Sequence, residues 1–271
     1  MKQYAAVMKA HFLSQLQYRA AAWAGIGTQL FFGMIKVMIF TGFFQSSLRE
    51  QPMTYDQVIN YLWLGQALLM ILPFRADREL ASLIRTGNVA YELSRPVDLY
   101  RFWYARAIAM RLAPVFLRAL PMIIATVLVF PLIGAGKWSL NPPESIEIFL
   151  YFSLSVTGAF FLAAAISVLM SISTMWTVSS AGIDQLMPSV IWIFSGIIIP
   201  LPFFPDWMQK VFNVLPFRGM MDIPFRIYTG NIGSLDILNS LGIQLFWILV
   251  LVFSGNYLLK RGLKRIVVQG G

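Results

Sequence analysis

The sequence predicts an all-α polytopic membrane protein with six transmembrane helices, and three observations carry that prediction. The 271-residue chain is 58% hydrophobic and only 12% charged, with a mean hydropathy of +0.69; soluble domains average about 25% charged residues. Its apolar residues gather in several runs near or above the ~18–20 residues that cross a bilayer. Runs such as MIIATVLVF and FFLAAAISVLM are continuous, whereas a transmembrane β-barrel needs segments of ~10 residues that alternate apolar and polar. Residues 1–271 read as one transmembrane domain.

The first element is an amphipathic helix over residues 1–18. Tyr4, Met8, Phe12 and Leu16 recur every fourth residue, with Ala5 and Leu13 beside them and Lys2, Lys9 and Gln15 elsewhere on the wheel. Such a helix can lie in the membrane interface. The apolar run begins after Arg19 and continues to Phe44, too long for a signal-peptide core of about 7–15 residues. It reads as a retained first span, about 20–44. Lys36 lies well inside it, where a charge costs on the order of 3 kcal/mol. Lys36 has two readings: a group facing a substrate path or partner helix, or a side chain snorkelling to the nearer head groups.

Span two is placed at about 58–74 and span three at about 112–133. Arg118 stands in the first turns of span three, on one face with Arg111; it reaches back to head groups or contacts substrate. Span four is placed at about 146–171, span five at about 183–200 and span six at about 237–259. Asp184 opens span five, where an acid complements the helix dipole. Between spans five and six, residues 201–235 hold Pro202, Pro205, Pro216 and Pro224 among many aromatics. This stretch is too broken for a straight span and too apolar for an ordinary loop. It reads as short re-entrant helices, with Trp207, Phe212, Phe217, Phe225 and Tyr228 at head-group level.

Charge sets the orientation. Fourteen of the 21 lysines and arginines fall in the N-terminus, the 74–111 loop and the C-terminal tail, and only five in the alternate loops. The positive-inside rule puts both termini in the cytoplasm. The net charge of +9 is thereby explained by cytoplasmic loops and anionic head groups, with no call for nucleic acid. There is no cysteine and one histidine, His11, which excludes disulfides, thiol catalysis and a histidine-rich metal centre. GAGKW near Lys137 lacks the rest of a phosphate-binding loop: Pro131 replaces the first glycine and Trp138 the hydroxyl residue. The chain therefore has no recognisable nucleotide site of its own.

The loop from Phe74 to Arg111 holds seven arginines and four acids. Within it, Asp77–Arg85 forms a short amphipathic helix, with Leu80, Leu83 and Ile84 on one face. Arg78, Glu79, Ser82 and Arg85 point elsewhere. Gly87 is a C-terminal stop, and Arg95-Pro96 keeps Arg95 out of helix. A helix lying between two spans can transmit force to both. The alternative is a solvated loop that only anchors topology.

The segment ELASLIRTGNVAYELSRPVDLY, the six-span layout and the broken stretch before the last span resemble the membrane subunit of ABC-2-type ABC transporters. More narrowly, they resemble bacterial permeases encoded apart from their ATPase. The resemblance covers nearly the whole chain; its short motif runs from Gly87 to Pro96. It implies an elbow helix before span one and re-entrant helices before span six. It also implies a coupling helix, here Asp77, Arg78, Glu79, Leu80, Leu83, Ile84 and Arg85, that docks on separate ABC ATPase subunits. It implies a second permease copy or a related permease, no cofactor on this chain, ATP and magnesium on the ATPase, and a bacterial cytoplasmic membrane location. Most such proteins export. The family supplies no universal substrate residues, so Lys36 and Arg118 stay translocation-path candidates on physical grounds alone. The rival functions are a secondary transporter and a non-transporting membrane scaffold; an intramembrane enzyme would need paired acids or a Ser–Lys dyad, and Lys36 has no clear serine partner.

Overall fold

The computed structural model of the chain describes residues 2–17, 19–94, 96–177 and 179–264. Met1, Arg95 and Arg265, which figure in the sequence reading, lie outside the described residues. Among these, every regular element is helical. Four helices are long and apolar enough to cross a membrane: Ala20–Ser46, Leu99–Leu132, Ile146–Thr177 and Leu235–Leu263.

Helix α1 (Lys2–Leu16) packs along the first half of α6 (Leu99–Ile124). Its packed side carries Tyr4, Val7, Met8, His11, Phe12, Gln15 and Leu16, whereas Ala5 and Leu13 are exposed. The four-residue stripe read from the sequence is therefore right, but its flank is the opposite one. Val7 and His11 close against α6, and Gln15 turns inward with them. Helix α2 (Arg19–Ser46) follows, with Trp23, Phe31, Phe32, Ile39 and other large apolar side chains exposed, the expected surface for a lipid-facing span.

Helix α3 (Tyr55–Ala67) is held at its start by a capping box: Thr54 Oγ1 accepts from Gln57 N at 3.3 Å, and Gln57 Oε1 from Thr54 N at 3.0 Å. It has 13 residues, about 20 Å of helix. A 3-10 turn, Leu69–Ile71, continues it toward Pro73. The stretch read as span two is thus a short helix and a turn. Every residue from Val58 to Ala67 is buried, so α3 is apolar on all sides because protein surrounds it.

Helix α4 (Arg78–Arg85) and α5 (Val89–Leu93) are joined through Gly87, whose φ of 73° lies in the left-handed region that glycine adopts cheaply. Helix α6 then starts at Leu99, not near residue 112. Asp98 caps it, its carboxylate accepting from Arg101 N at 2.8 Å. The hydropathy of the run locates where charges thin out, whereas the helix extends back through Arg101, Arg106 and Arg111. At its far end a π-turn, residues 125–129, lies between Pro121 and Pro131 and leads into α7 (Phe130–Leu132). Prolines lack an N–H and clash with the preceding turn, and a wider turn accommodates this.

Helix α8 (Ile146–Thr177) is the central post. Ser155, Ala159, Leu162, Ala163, Ile166, Ser167, Met170, Ser171 and Thr174 are all buried. Its small residues let α12 (Ser234–Leu263), α6 and α4 close on it. Helix α9 (Ala181–Phe194) has 14 residues, and the chain turns at Gly196 (φ 82°). The helix of span five is accordingly shorter than the 183–200 read from the sequence.

The proline-rich stretch breaks into a 3-10 turn at Leu201–Phe203, α10 (Asp206–Val214), a 3-10 turn at Pro216–Met220 and α11 (Asp222–Tyr228). The fragmentation follows the prolines. Its aromatics differ in how much of each the protein covers. Trp207 is exposed, but Phe212, Phe225 and Tyr228 are buried and Phe217 is half-buried. α11 wedges between α3 and α8, where Phe225 meets Tyr61 edge-on at 5.1 Å and Tyr228 meets Phe152 at 4.9 Å.

Candidate coupling junction

Asp77 is the hub of the arginine-rich end. Its carboxylate caps α4, accepting from Glu79 N at 2.9 Å and Leu80 N at 3.3 Å. The same carboxylate accepts from Arg106 Nε at 2.8 Å. Arg106 Nη2 donates to Glu79 Oε2 at 2.6 Å. One guanidinium on α6 thus holds both acids at the start of α4, using its planar fork on two carboxylates at once. Arg106 is buried, Asp77 mostly so, and Glu79 keeps 64% of its side chain exposed.

The backbone before α4 is tied to two other helices. Asp77 N donates to Ser171 Oγ of α8 at 3.1 Å, and Ala76 N to Asp184 Oδ1 of α9 at 2.7 Å. Asp184 therefore binds the loop that leads into α4, a role that its place at a helix start does not reveal. Arg111 donates from Nη1 to Ala107 O at 2.6 Å and from Nε to Ile71 O at 3.2 Å, pinning the 3-10 turn at the end of α3. Leu80 and Ile84 are buried and Leu83 half-buried, packed with Trp103, Val168 and Ile172. Trp103 Nε1 in turn donates to Glu92 of α5 at 2.7 Å. Arg78, Ser82 and Arg85 remain exposed. Helix α4 is an eight-residue helix whose inner face is held to α6 and α8 and whose outer face is exposed.

His11 closes the junction from α1, its Nε2 lying 3.4 Å from Arg106 Nη1. Burial and then the Arg106 charge hold this imidazole below its usual value of 6.5, against weaker pulls from Glu79 and Asp77. A histidine shifted down in this way takes up a proton less readily when folded than when unfolded. Its contribution to stability is full above pH 6.5 and falls as pH drops below it. Thermal unfolding at pH 7.5 and 5.5 should show this loss, and His11→Gln should flatten it. A His11→Gln variant with an unchanged acid loss would assign the dependence elsewhere.

The two translocation-path candidates sit apart from this junction and from each other. Lys36 Nζ donates to Ile197 O at 2.7 Å and lies 5.9 Å from the centre of the Trp192 ring. It thus binds the turn that follows α9. Arg118 Nη1 reaches Met70 Sδ at 3.2 Å, and its guanidinium rests on the bare backbone of Gly25, where a Cβ would collide with it. Among the described residues Arg118 has no carboxylate partner.

Arg106, His11, Ser171 and Asp184 escape a reading by motif. Arg106 is one of seven arginines between Phe74 and Arg111. A signal was present: it interrupts an otherwise apolar WYARAIAM, and a buried guanidinium requires carboxylates. A second buried ionic cluster lies at the opposite end. Asp222 Oδ2 is 3.8 Å from both Arg218 Nε and Arg226 Nη1, and Tyr61 donates to Oδ1 at 3.3 Å. Arg218 also donates to Asn213, and Arg226 Nε to Asn231 Oδ1 at 2.8 Å.

The family model described as ABC-2 family transporter protein matches residues 34–270, which takes in both clusters and everything from the middle of α2 onward. No curated protein matches the chain.

Proposed function

The chain belongs to the ABC-2 transporter family, and we propose that it is the permease subunit of an ATP-driven exporter, with α4 as the helix that couples it to a separate ATPase. The observation that carries this reading is the junction itself. A force applied to the free face of α4 passes through Asp77 and Glu79 to Arg106 on α6, and through Leu80 and Ile84 to α8. Both recipients are membrane helices. The sequence offers no phosphate-binding loop, so energy enters from a partner that binds ATP and magnesium, and hydrolysis belongs to that partner.

In this reading α1 is the elbow helix, α3, with protein around it, and α9 complete six crossings, and residues 201–235 re-enter from the outer side. Both termini face the cytoplasm of a bacterial cell. Two permeases, identical or related, form the path. ATP binding brings the ATPases together, α4 moves, and α6 and α8 move with it. The nucleotide drives this only by favouring one state over the other.

The test uses the exposed side of α4. Arg78→Glu with Arg85→Glu should leave the chain folded, because neither side chain packs inward. A native ATPase that co-purifies in mild detergent should then be lost, with at least a tenfold weaker association for two reversed charges. Ile84→Asp, by contrast, buries a carboxylate and should unfold the junction. Unchanged recovery of an ATPase with the double reversal, or recovery of none with the parent chain, would count against coupling through α4.

A further inference from the structure

Behind α4 lies a cleft of about 440 Å³, bounded by the 72–79 segment, α6 and Ser167 of α8. Four arginines line it: Arg75, Arg78, Arg106 and Arg111. Asp77 and Glu79 are the acids in the lining, and Arg106 engages both. Among the described residues Arg75, Arg78 and Arg111 have no ion-pair partner. Arg111 is satisfied by two backbone carbonyls, which leave its positive charge uncompensated. The cleft therefore carries a net positive charge in a half-enclosed space, where such charge is costly unless an anion meets it.

Its depth identifies the anion. Arg111 stands where the arginine-bearing part of α6 ends; from Leu112 to Leu132 the only charge is Arg118. That is the level at which head groups meet the apolar core. The lining changes character in the same place, with Leu72, Phe74, Ala107 and Met110 beside the arginines. An apolar wall next to a guanidinium cluster suits a group with a phosphate at one end and a hydrocarbon chain at the other. We propose that this cleft binds a phosphate group, supplied by an anionic phospholipid of the leaflet beside α4, and that the bound lipid braces the 72–79 segment against α6. The proposal rests on the membrane reading; Arg78 is shared with the proposed docking face, so its test uses Arg75 and Arg111.

The purified chain in a neutral detergent is titrated with phosphatidylglycerol, with phosphatidylcholine and with inorganic phosphate, and its unfolding temperature is followed. A ligand that binds the folded state raises that temperature by mass action. Phosphatidylglycerol should raise it well above the effect of phosphatidylcholine, with about tenfold weaker apparent affinity in Arg75→Gln, an exposed loop position, and in Arg111→Gln. Arg75→Gln keeps the test open if Arg111→Gln does not fold. A matching effect of inorganic phosphate would keep the site and assign free phosphate as its source. Equal responses of the parent and Arg75→Gln to phosphatidylglycerol, or no response to either phosphate source, would overturn the proposal. So would protection of the cleft by an added acidic ATPase segment but not by lipid.

Discussion

Arg106→Ala should destabilise the protein by about 3 kcal/mol, the scale of breaking a buried ion pair from one side. The loss falls mainly on Asp77, which is largely buried, whereas Glu79 is exposed enough to turn to water. Asp77 would keep its hydrogen bonds to the start of α4 but lose the cation that neutralises it. Helix α4 should then loosen from α6 while its packing on α8 through Leu80 and Ile84 persists. Thermal unfolding in detergent reads the first effect, and proteolysis within the 74–98 region reads the second. Arg106→Lys should recover only part of the loss, because one ammonium cannot span both carboxylates as the fork does. An Arg106→Ala protein that melts and resists protease like its parent would show that the junction carries no stability. If the coupling reading holds, the same variant should retain the ATPase yet transport poorly, since docking uses the outer face of α4 and transmission uses the inner one.

Asp222→Ala should cost a similar 3–5 kcal/mol, at the other end of the molecule. Arg218 is 8% exposed and Asp222 1%, so deleting the carboxylate strands a guanidinium inside the protein. Tyr61 of α3 loses its acceptor in the same step. The expected result is release of residues 201–235 from α3, seen as earlier thermal unfolding and faster amide exchange in α11. Replacing the cluster together, Asp222→Leu with Arg218→Met and Arg226→Met, should restore most of the stability, because apolar groups of similar size need no counter-charge. If this combined replacement is as unstable as Asp222→Ala, the cluster contributes through its hydrogen bonds to Tyr61, Asn213 and Asn231 rather than through its charges.

The two clusters differ in how far the sequence exposes them. Asp77–Arg85 is visible from local pattern: three apolar residues on one face and a glycine at the stop. Each of these is a property of neighbours in the chain, so each survives without tertiary knowledge. The partner of Asp77 does not, because Arg106 lies 29 residues away, and the apolar run it interrupts marks it as buried without saying which acid it meets. The Asp222 cluster is less legible still. Its arginines sit among prolines and aromatics that suggest an interface, and only the wedging of α11 between α3 and α8 takes them out of solvent. Lys36 illustrates the reverse. Its position inside an apolar run is plain from the sequence, but its backbone partner, the carbonyl of Ile197, lies 161 residues away.

Composition and periodicity were enough for the helical membrane class, the four long spans, the short helix at Arg78–Arg85 and the broken stretch before α12. These depend on runs of apolar residues, on caps and on prolines, all of which act over a few residues. The ends of α3, α6 and α9, the buried face of α1 and the two ionic clusters were decided by packing. A short helix can be wholly apolar because protein surrounds it, and a charged helix can run on because another segment supplies the acids. Those partners are distant in sequence, and folding is what brings them within 3 Å of one another.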